Sequence, residues 1–307
     1  MIEKYDLSAD KKLSADENAS AAAFLQIVSP SKEEIGQLVT AFHFPFDYIG
    51  GILDDYEKAR YEEDEHGNHL LLLQYPAQSD TGEIETFPYA LIITADKKII
   101  FALNHEVTLD ALFTRTYDVK RLSHQLVYQV ISQLTESFQQ YLTDFRAKRH
   151  EVSAHIQKST KNDQLMTMIQ MQASLVYFQD ALMNNLEVLR KFQQDLEKNH
   201  EDGFAERVYD LYVETSQAMT EARIQEKLLE NLRDLFSNIV ANNLNIVMKI
   251  MTSATFVLGI PAVITGFYGM NVTIPGQWAH GLVWLLAGLI IILCGSVSYW
   301  LHKKDMM

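Results

Sequence analysis

Asn245, Met248, Thr252, Thr255, Gly259, Ala262 and Gly266 recur at steps of 3, 4, 3, 4, 3 and 4 residues, so on a helix they form one stripe with a period of 3.5. Asn245, Thr252 and Thr255 carry oxygen acceptors without fixed charge, and Gly259, Ala262 and Gly266 carry almost no bulk. Uncharged oxygens along a narrow wall suit a cation that keeps its hydration shell and meets the wall through its own water. Small residues at this period also let parallel helices supercoil closely, and in non-conducting anchors they do only that. No Asp or Glu lies between residues 246 and 267. The other side of the same helix, with Ile250, Phe256, Val257, Ile260, Val263, Ile264 and Phe267, is bulky and suited to lipid.

Other candidate chemistry is sparser. Glu62, Glu63, Asp64 and Glu65 with His66 and His69 form a metal-capable run that also reads as the charged tip of a hairpin. Gly50-Gly51 lacks the spacing and lysine of a nucleotide-binding loop, and no catalytic triad is evident, so no enzyme is expected. Met166, Met168, Met171, Tyr177 and Phe178 read as helix-packing groups.

The elements that hold the stripe are apolar. Residues 246–267 and 281–301 are each about 20 residues of mostly apolar chain, enough to cross a roughly 30 Å hydrocarbon core. Tyr268, Trp278, Trp284, Tyr299 and Trp300 fall near their ends, where aromatic rings prefer the interface. The connecting residues 268–280 have no Lys or Arg, whereas Lys303 and Lys304 follow the second span and Lys249 opens the first. Both termini are therefore expected in the cytoplasm, with no cleaved signal at the start MIEKYDLSADKK.

The formal charge of -14 sits almost wholly before the spans, where the first 245 residues carry 23 basic and 39 acidic groups. A polyanion of this kind disfavours nucleic acid and attracts cations. The single cysteine, Cys294, excludes intrachain disulfides. Residues 1–118 read as an α/β domain: Phe24 to Val28, Leu70 to Tyr75, Ala90 to Thr94 and Ile99 to Leu103 are strand-like runs, with turns at His66-Gly67-Asn68 and Asp80-Thr81-Gly82. Ser29 or Ser31 can cap a helix running to about Phe42. Residues 119–202, free of Gly and Pro, read as long helices broken near His150 to Asp163.

Gly203 is read as a break, after which residues 203–267 form a stalk helix that continues into the first span, about 246–267. From Phe204 its 64 residues would extend roughly 96 Å. Val208, Leu211, Thr215, Ala218, Ala222, Leu229, Leu232, Phe236 and Ile239 make a seam along it, with Gln225 in the one seven-residue step. That seam is expected to be closed by neighbouring copies. Two spans cannot enclose a pore, so conduction would require an oligomer.

Immediately after the stripe come Tyr268, Gly269, Met270 and Asn271, then the short loop, the second span 281–301 and a basic tail 302–307. This placement of YGMN, together with NIVMKIMT from Asn245 to Thr252, resembles the CorA family of Mg2+ transporters. The resemblance implies a homo-oligomer, a pentamer, in the cell (plasma or inner) membrane, with an α+β cytoplasmic domain, a long helical stalk forming a funnel, and two C-terminal transmembrane helices. It implies passage of hydrated Mg2+, with Co2+ or Ni2+ also passing, driven by the membrane potential and gated by cytosolic Mg2+. It implies a selectivity filter of Gly269, Met270 and Asn271 at an extracellular loop, and a gate at Met248 and Met251 near the polar ring of Asn245. Asp210 is the position most like the family's regulatory metal ligand. A Zn2+ transporter of the same superfamily, or a membrane-anchored divalent sensor that conducts nothing, shares this layout. Gly259 and Ala262 are smaller than their counterparts in many relatives, Pro261 is displaced by about one residue, and the loop lacks acidic groups.

Overall fold

The structure is a computed structural model that describes residues 2–8, 10–15, 22–79, 82–105, 107, 109–156, 162–272 and 281–304. Seven strands form one mixed sheet: β1 (Ile2–Leu7), β2 (Leu13–Ala15), β3 (Phe24–Val28), β4 (Arg60–Glu63), β5 (His69–Gln78), β6 (Ile84–Ile93) and β7 (Ile99–Leu103). Their spatial order is β2-β1-β3-β7-β6-β5-β4, antiparallel except for the β3–β7 pair. The helices are α1 (Lys32–Phe42), α2 (Asp47–Gly50), α3 (Asp110–Thr114), α4 (Leu122–Ile156), α5 (Asn162–Lys198), α6 (Asp202–Tyr268) and α7 (Leu282–Lys303). The chain divides into two compact units, Met1–Arg233 and Asp234–Met307.

In the first unit both sheet faces are covered, which is why β5 to β7 read as nearly continuous apolar runs. Leu71, Leu73 and Tyr75 of β5 join a core with α4, α5 and the start of α6, whereas Leu70 and Leu72 face α1 and α2. Alternation along one strand thus feeds two cores. Ser31 begins α1 with a capping box, its hydroxyl accepting from Glu34 N while the Glu34 carboxylate accepts from Ser31 N. The turn at Gly67 takes a φ of 79°, and Asp64 holds it by accepting from the backbone of His66 and Asn68. Gly82 has a φ of 84°, while Asp80 and Thr81 of the same turn lie outside the described residues.

β4 pairs with β5 only as far as Arg60 opposite Leu72, so β5 runs on without it. There Asn185 of α5, 6% exposed, takes over as the partner: its Oδ1 accepts from Gln74 N at 2.9 Å and its Nδ2 donates to Gln74 O at 2.8 Å. Asn185→Ala should leave both buried backbone groups unsatisfied and cost about 2–4 kcal/mol, measurable by denaturant unfolding.

Three expectations change on the helical side. The break foreseen at Gly203 falls earlier, where His200 adopts a φ of 62° and the α5 end closes with Glu201 N donating to Leu196 O and His200 N to Glu197 O. Gly203 instead lies in the first turn of α6. The seam from Val208 to Leu232 needs no neighbouring copy, because it is already buried within the single chain. Polar clasps from α4 and α5 flank it: Arg146 reaches Glu221, Arg149 reaches the buried Gln225, and Gln179 reaches Glu226. Among the packing candidates, Met168, Met171 and Phe178 are buried, but Met166 and Tyr177 are exposed.

Candidate functional site

The second unit contains the end of α6 and all of α7. Each contains a window long and apolar enough to cross a bilayer, and those windows are almost wholly uncovered, unlike the core helix of a soluble protein. On α6, Ser253 is fully buried and Ala254, Val257, Ile260, Pro261 and Ile264 are half-buried. Their spacing of three and four places them on one helix face. Asn245, Met248, Thr252, Thr255, Gly259, Ala262 and Gly266 occupy the opposite face, all of them exposed except the half-buried Gly259. A Cβ added at Gly259 or Gly266 would meet nothing within 4 Å. The chain's own hairpin therefore leaves the small and oxygen-bearing stripe open. Val257, Ile260 and Ile264 correct the expectation of a uniform lipid face, since only Ile250, Phe256, Val263 and Phe267 of that set remain exposed.

Pro261 explains a residue that sequence reading left without a role. Lacking an N–H, it cannot bond the carbonyl of Val257, four residues back. The Cys294 thiol on α7 donates to that carbonyl at 3.6 Å, filling the gap and tying α7 to α6 at the proline. Such a bond contributes about 0.5–1 kcal/mol, with a further cost if the carbonyl is left bare. Cys294→Val is expected to destabilise the hairpin by about 1 kcal/mol and Cys294→Ser to restore it. In a Pro261→Ala background, where the helix supplies its own N–H, the cost of Cys294→Val should vanish. A double-mutant cycle of unfolding in detergent measures this.

At its end α6 tightens: Gly269 N donates to Thr265 O at 2.8 Å and Met270 N to Phe267 O at 3.4 Å. A Cβ at Gly269 would stand 3.0 Å from the Thr265 carbonyl, so a larger residue would crowd this turn. Met270 and Asn271 follow as exposed residues. Residues 273–280, including Trp278, lie outside the described residues. Trp284, Tyr299 and Trp300 are exposed on α7.

In the first unit Asp210 is exposed on α6, one turn before the half-buried Glu214. Burial, then the negative charges of Asp210 and Glu136, hold the Glu214 carboxyl above its usual range. Burial and the charges of Glu214 and Asp210 also raise the Tyr128 hydroxyl. This corner favours any added positive charge. The acidic run at 62–66 is mostly committed locally, with Asp64 holding its turn and Glu62 paired with Arg60. Glu63 and His69 remain on the α5 side, close to Asp195.

Comparison with known proteins agrees with this layout. The chain is 24% identical over 281 residues to the cobalt/magnesium transport protein CorA of Methanocaldococcus jannaschii, covering 88% of this chain and 86% of that protein. It is 21% identical over 262 residues to the protein of the same name from Thermotoga maritima, covering 82% of this chain and 74% of that one. The complete structure of the CorA magnesium transporter from M. jannaschii superimposes with a TM-score of 0.86 at 19% identity, covering 100% of this chain and 99% of the other. A family profile described as CorA-like Mg2+ transporter protein matches residues 20–303, a span that includes strands β3 to β7, the long helices, the stripe and the Gly269-Met270-Asn271 turn. With that match over nearly its whole length, the chain belongs to the CorA-like Mg2+ transporter family.

Proposed function

We propose that copies of this chain assemble, as a pentamer, into a membrane channel for hydrated divalent cations, chiefly Mg2+, with both termini in the cytoplasm. The observation that carries this reading is the open stripe on α6, opposite the face buried in the hairpin and leading to the exposed Asn271. Five such stripes around an axis would line a path with the oxygens of Asn245, Thr252 and Thr255, with Gly259 and Ala262 giving width. Gly269 shapes the turn that presents Asn271, whose amide oxygen accepts from the water shell of an ion that dehydrates reluctantly. Met248, 57% exposed, and Met251, 67% exposed, supply apolar rings that close the path by excluding water.

The membrane potential suffices as driving force: a divalent ion entering at -100 mV gains about 4.6 kcal/mol, at about 2.3 kcal/mol per charge. Gating by cytosolic Mg2+ would act at Asp210, where Glu214 and Glu136 already concentrate negative charge. Bound Mg2+ would relieve that repulsion, and its loss would let the carboxylates separate.

The direct test is uptake by vesicles containing the purified chain, under an inside-negative potential, with Mg2+, Co2+, Ni2+ and Zn2+ compared. Mg2+ uptake that rises with the potential is the expected result. Zn2+ uptake alone would reassign the cargo, and no uptake of any ion would leave an anchored sensor.

A further inference from the structure

We propose that Glu63, His69 and Asp195 form a binding site for a first-row transition-metal dication, such as Co2+ or Zn2+, within the unit Met1–Arg233. This goes beyond the transport reading and does not rest on it.

The register of the sheet edge builds the site. Glu63 on β4 lies directly opposite His69 on β5, so their side chains leave the same face about 5 Å apart. Tyr61, two residues before Glu63, emerges on that face too. α5 crosses this face and brings Asp195 to the pair. Each of the three residues offers one ligand atom, and these lie within 4.8 Å of one another. Ligand atoms around a first-row cation at about 2.0–2.2 Å stand roughly 3–3.5 Å apart, and with His69 Nδ1 3.8 Å from Asp195 Oδ2 and all three groups within 4.8 Å, modest side-chain rotations would close the set.

The surroundings are those of a metal centre. The Tyr61 hydroxyl donates to Asp195 Oδ2 at 2.8 Å and lies 2.9 Å from His69 Nδ1, and Asn199 Nδ2 donates to the same Asp195 oxygen at 3.3 Å. Outer partners of this type orient ligands and set the imidazole tautomer. A mere tether between the sheet edge and α5 would need only Tyr61, His69 and Asp195. Glu63 adds a second negative charge at the same point, a repulsion that a bound cation offsets. His69 and Asp195 are half-buried and Glu63 is exposed, which leaves a route of entry. His69 and Asp195 border a cavity of about 120 Å³ whose lining also includes a second imidazole–carboxylate pair, His124 and Glu201, 3.0 Å apart. One imidazole with two carboxylates suits Zn2+ or Co2+, whereas Mg2+ prefers an octahedron of oxygens and retains water.

The test is titration of the full chain in detergent with Co2+, followed by visible absorption, which separates nitrogen-ligated Co2+ from the hydrated ion. We expect one such Co2+ per chain, displaced by Zn2+ and resistant to excess Mg2+, and unchanged by Asn271→Ala. His69→Ala and Asp195→Asn should each weaken it by at least about tenfold. Because His69 also contacts Tyr61, Glu63→Gln supplies the variant that leaves the tether and the fold intact, checked by circular dichroism, and it should weaken Co2+ binding as well. Wild-type Co2+ binding in Glu63→Gln, or equal competition by Mg2+, would overturn the site. Loss of transport with Co2+ absorption intact would count against the channel reading alone.

Discussion

Asn271→Ala is expected to lower Mg2+ flux at least tenfold, while the purified protein keeps its oligomeric size and unfolding temperature. The side chain is exposed at the end of α6 beyond a turn already fixed by Gly269, so its removal disturbs no packing. On the proposed function, what it removes is an uncharged acceptor, repeated once per subunit, for the water carried by the ion. A hydrogen bond to a charged partner contributes about 1.5–3 kcal/mol, and about 1.4 kcal/mol already corresponds to a factor of ten. Val272→Ala, one residue on and also exposed, serves as the control and should conduct normally. Vesicle uptake of both variants decides the matter: equal flux would mean that the ion does not meet Asn271.

Gly259→Leu should have the second large effect, and its value lies in what it leaves alone. Apart from the adjoining residues and the backbone of its own helix turn, no described atom stands within 4 Å of a Cβ at this position. The isolated subunit should therefore tolerate the larger side chain, and helix propensity even favours it by up to about 1 kcal/mol. Any defect must then come from other copies. If the stripe faces a common axis, several leucines converge there, and flux should fall to background or the assembly should dissociate on size exclusion. Normal size with normal flux would place Gly259 away from the path. Read together, the two substitutions test the mouth and the middle of the route separately.

The contrast between stripe and seam shows what periodicity encodes. Both the Asn245 to Gly266 stripe and the Val208 to Leu232 seam were legible as helix faces from spacing alone. Spacing defines a face but not the neighbour that covers it. The seam turned out to be buried by its own chain, whereas the stripe stayed open. Likewise β5, β6 and β7 were visible because burial on both sides demands long apolar runs. β1, β2 and β4 were not, since short strands with residues such as Glu3, Lys4, Glu62 and Glu63 carry too little hydrophobic pattern. In the sequence, His69 stands out only beside its acidic neighbours. Asp195 comes from a helix more than a hundred residues away, and no local signal joins the two. The thiol at Cys294 is a similar case, though Pro261 offered a clue: a proline in a membrane helix strands a carbonyl, and a polar atom on an adjacent span is the natural donor.

The order of the sheet has one more consequence. Its two outer strands are the three-residue β2 and the four-residue β4, the latter carrying Arg60, Glu62 and Glu63. Borders so brief and so charged give a stray extended segment little backbone to zip onto, and where β5 runs past β4 the Asn185 amide already occupies the Gln74 backbone. These subunits should therefore resist edge-to-edge polymerisation into amyloid-like ribbons even at high density.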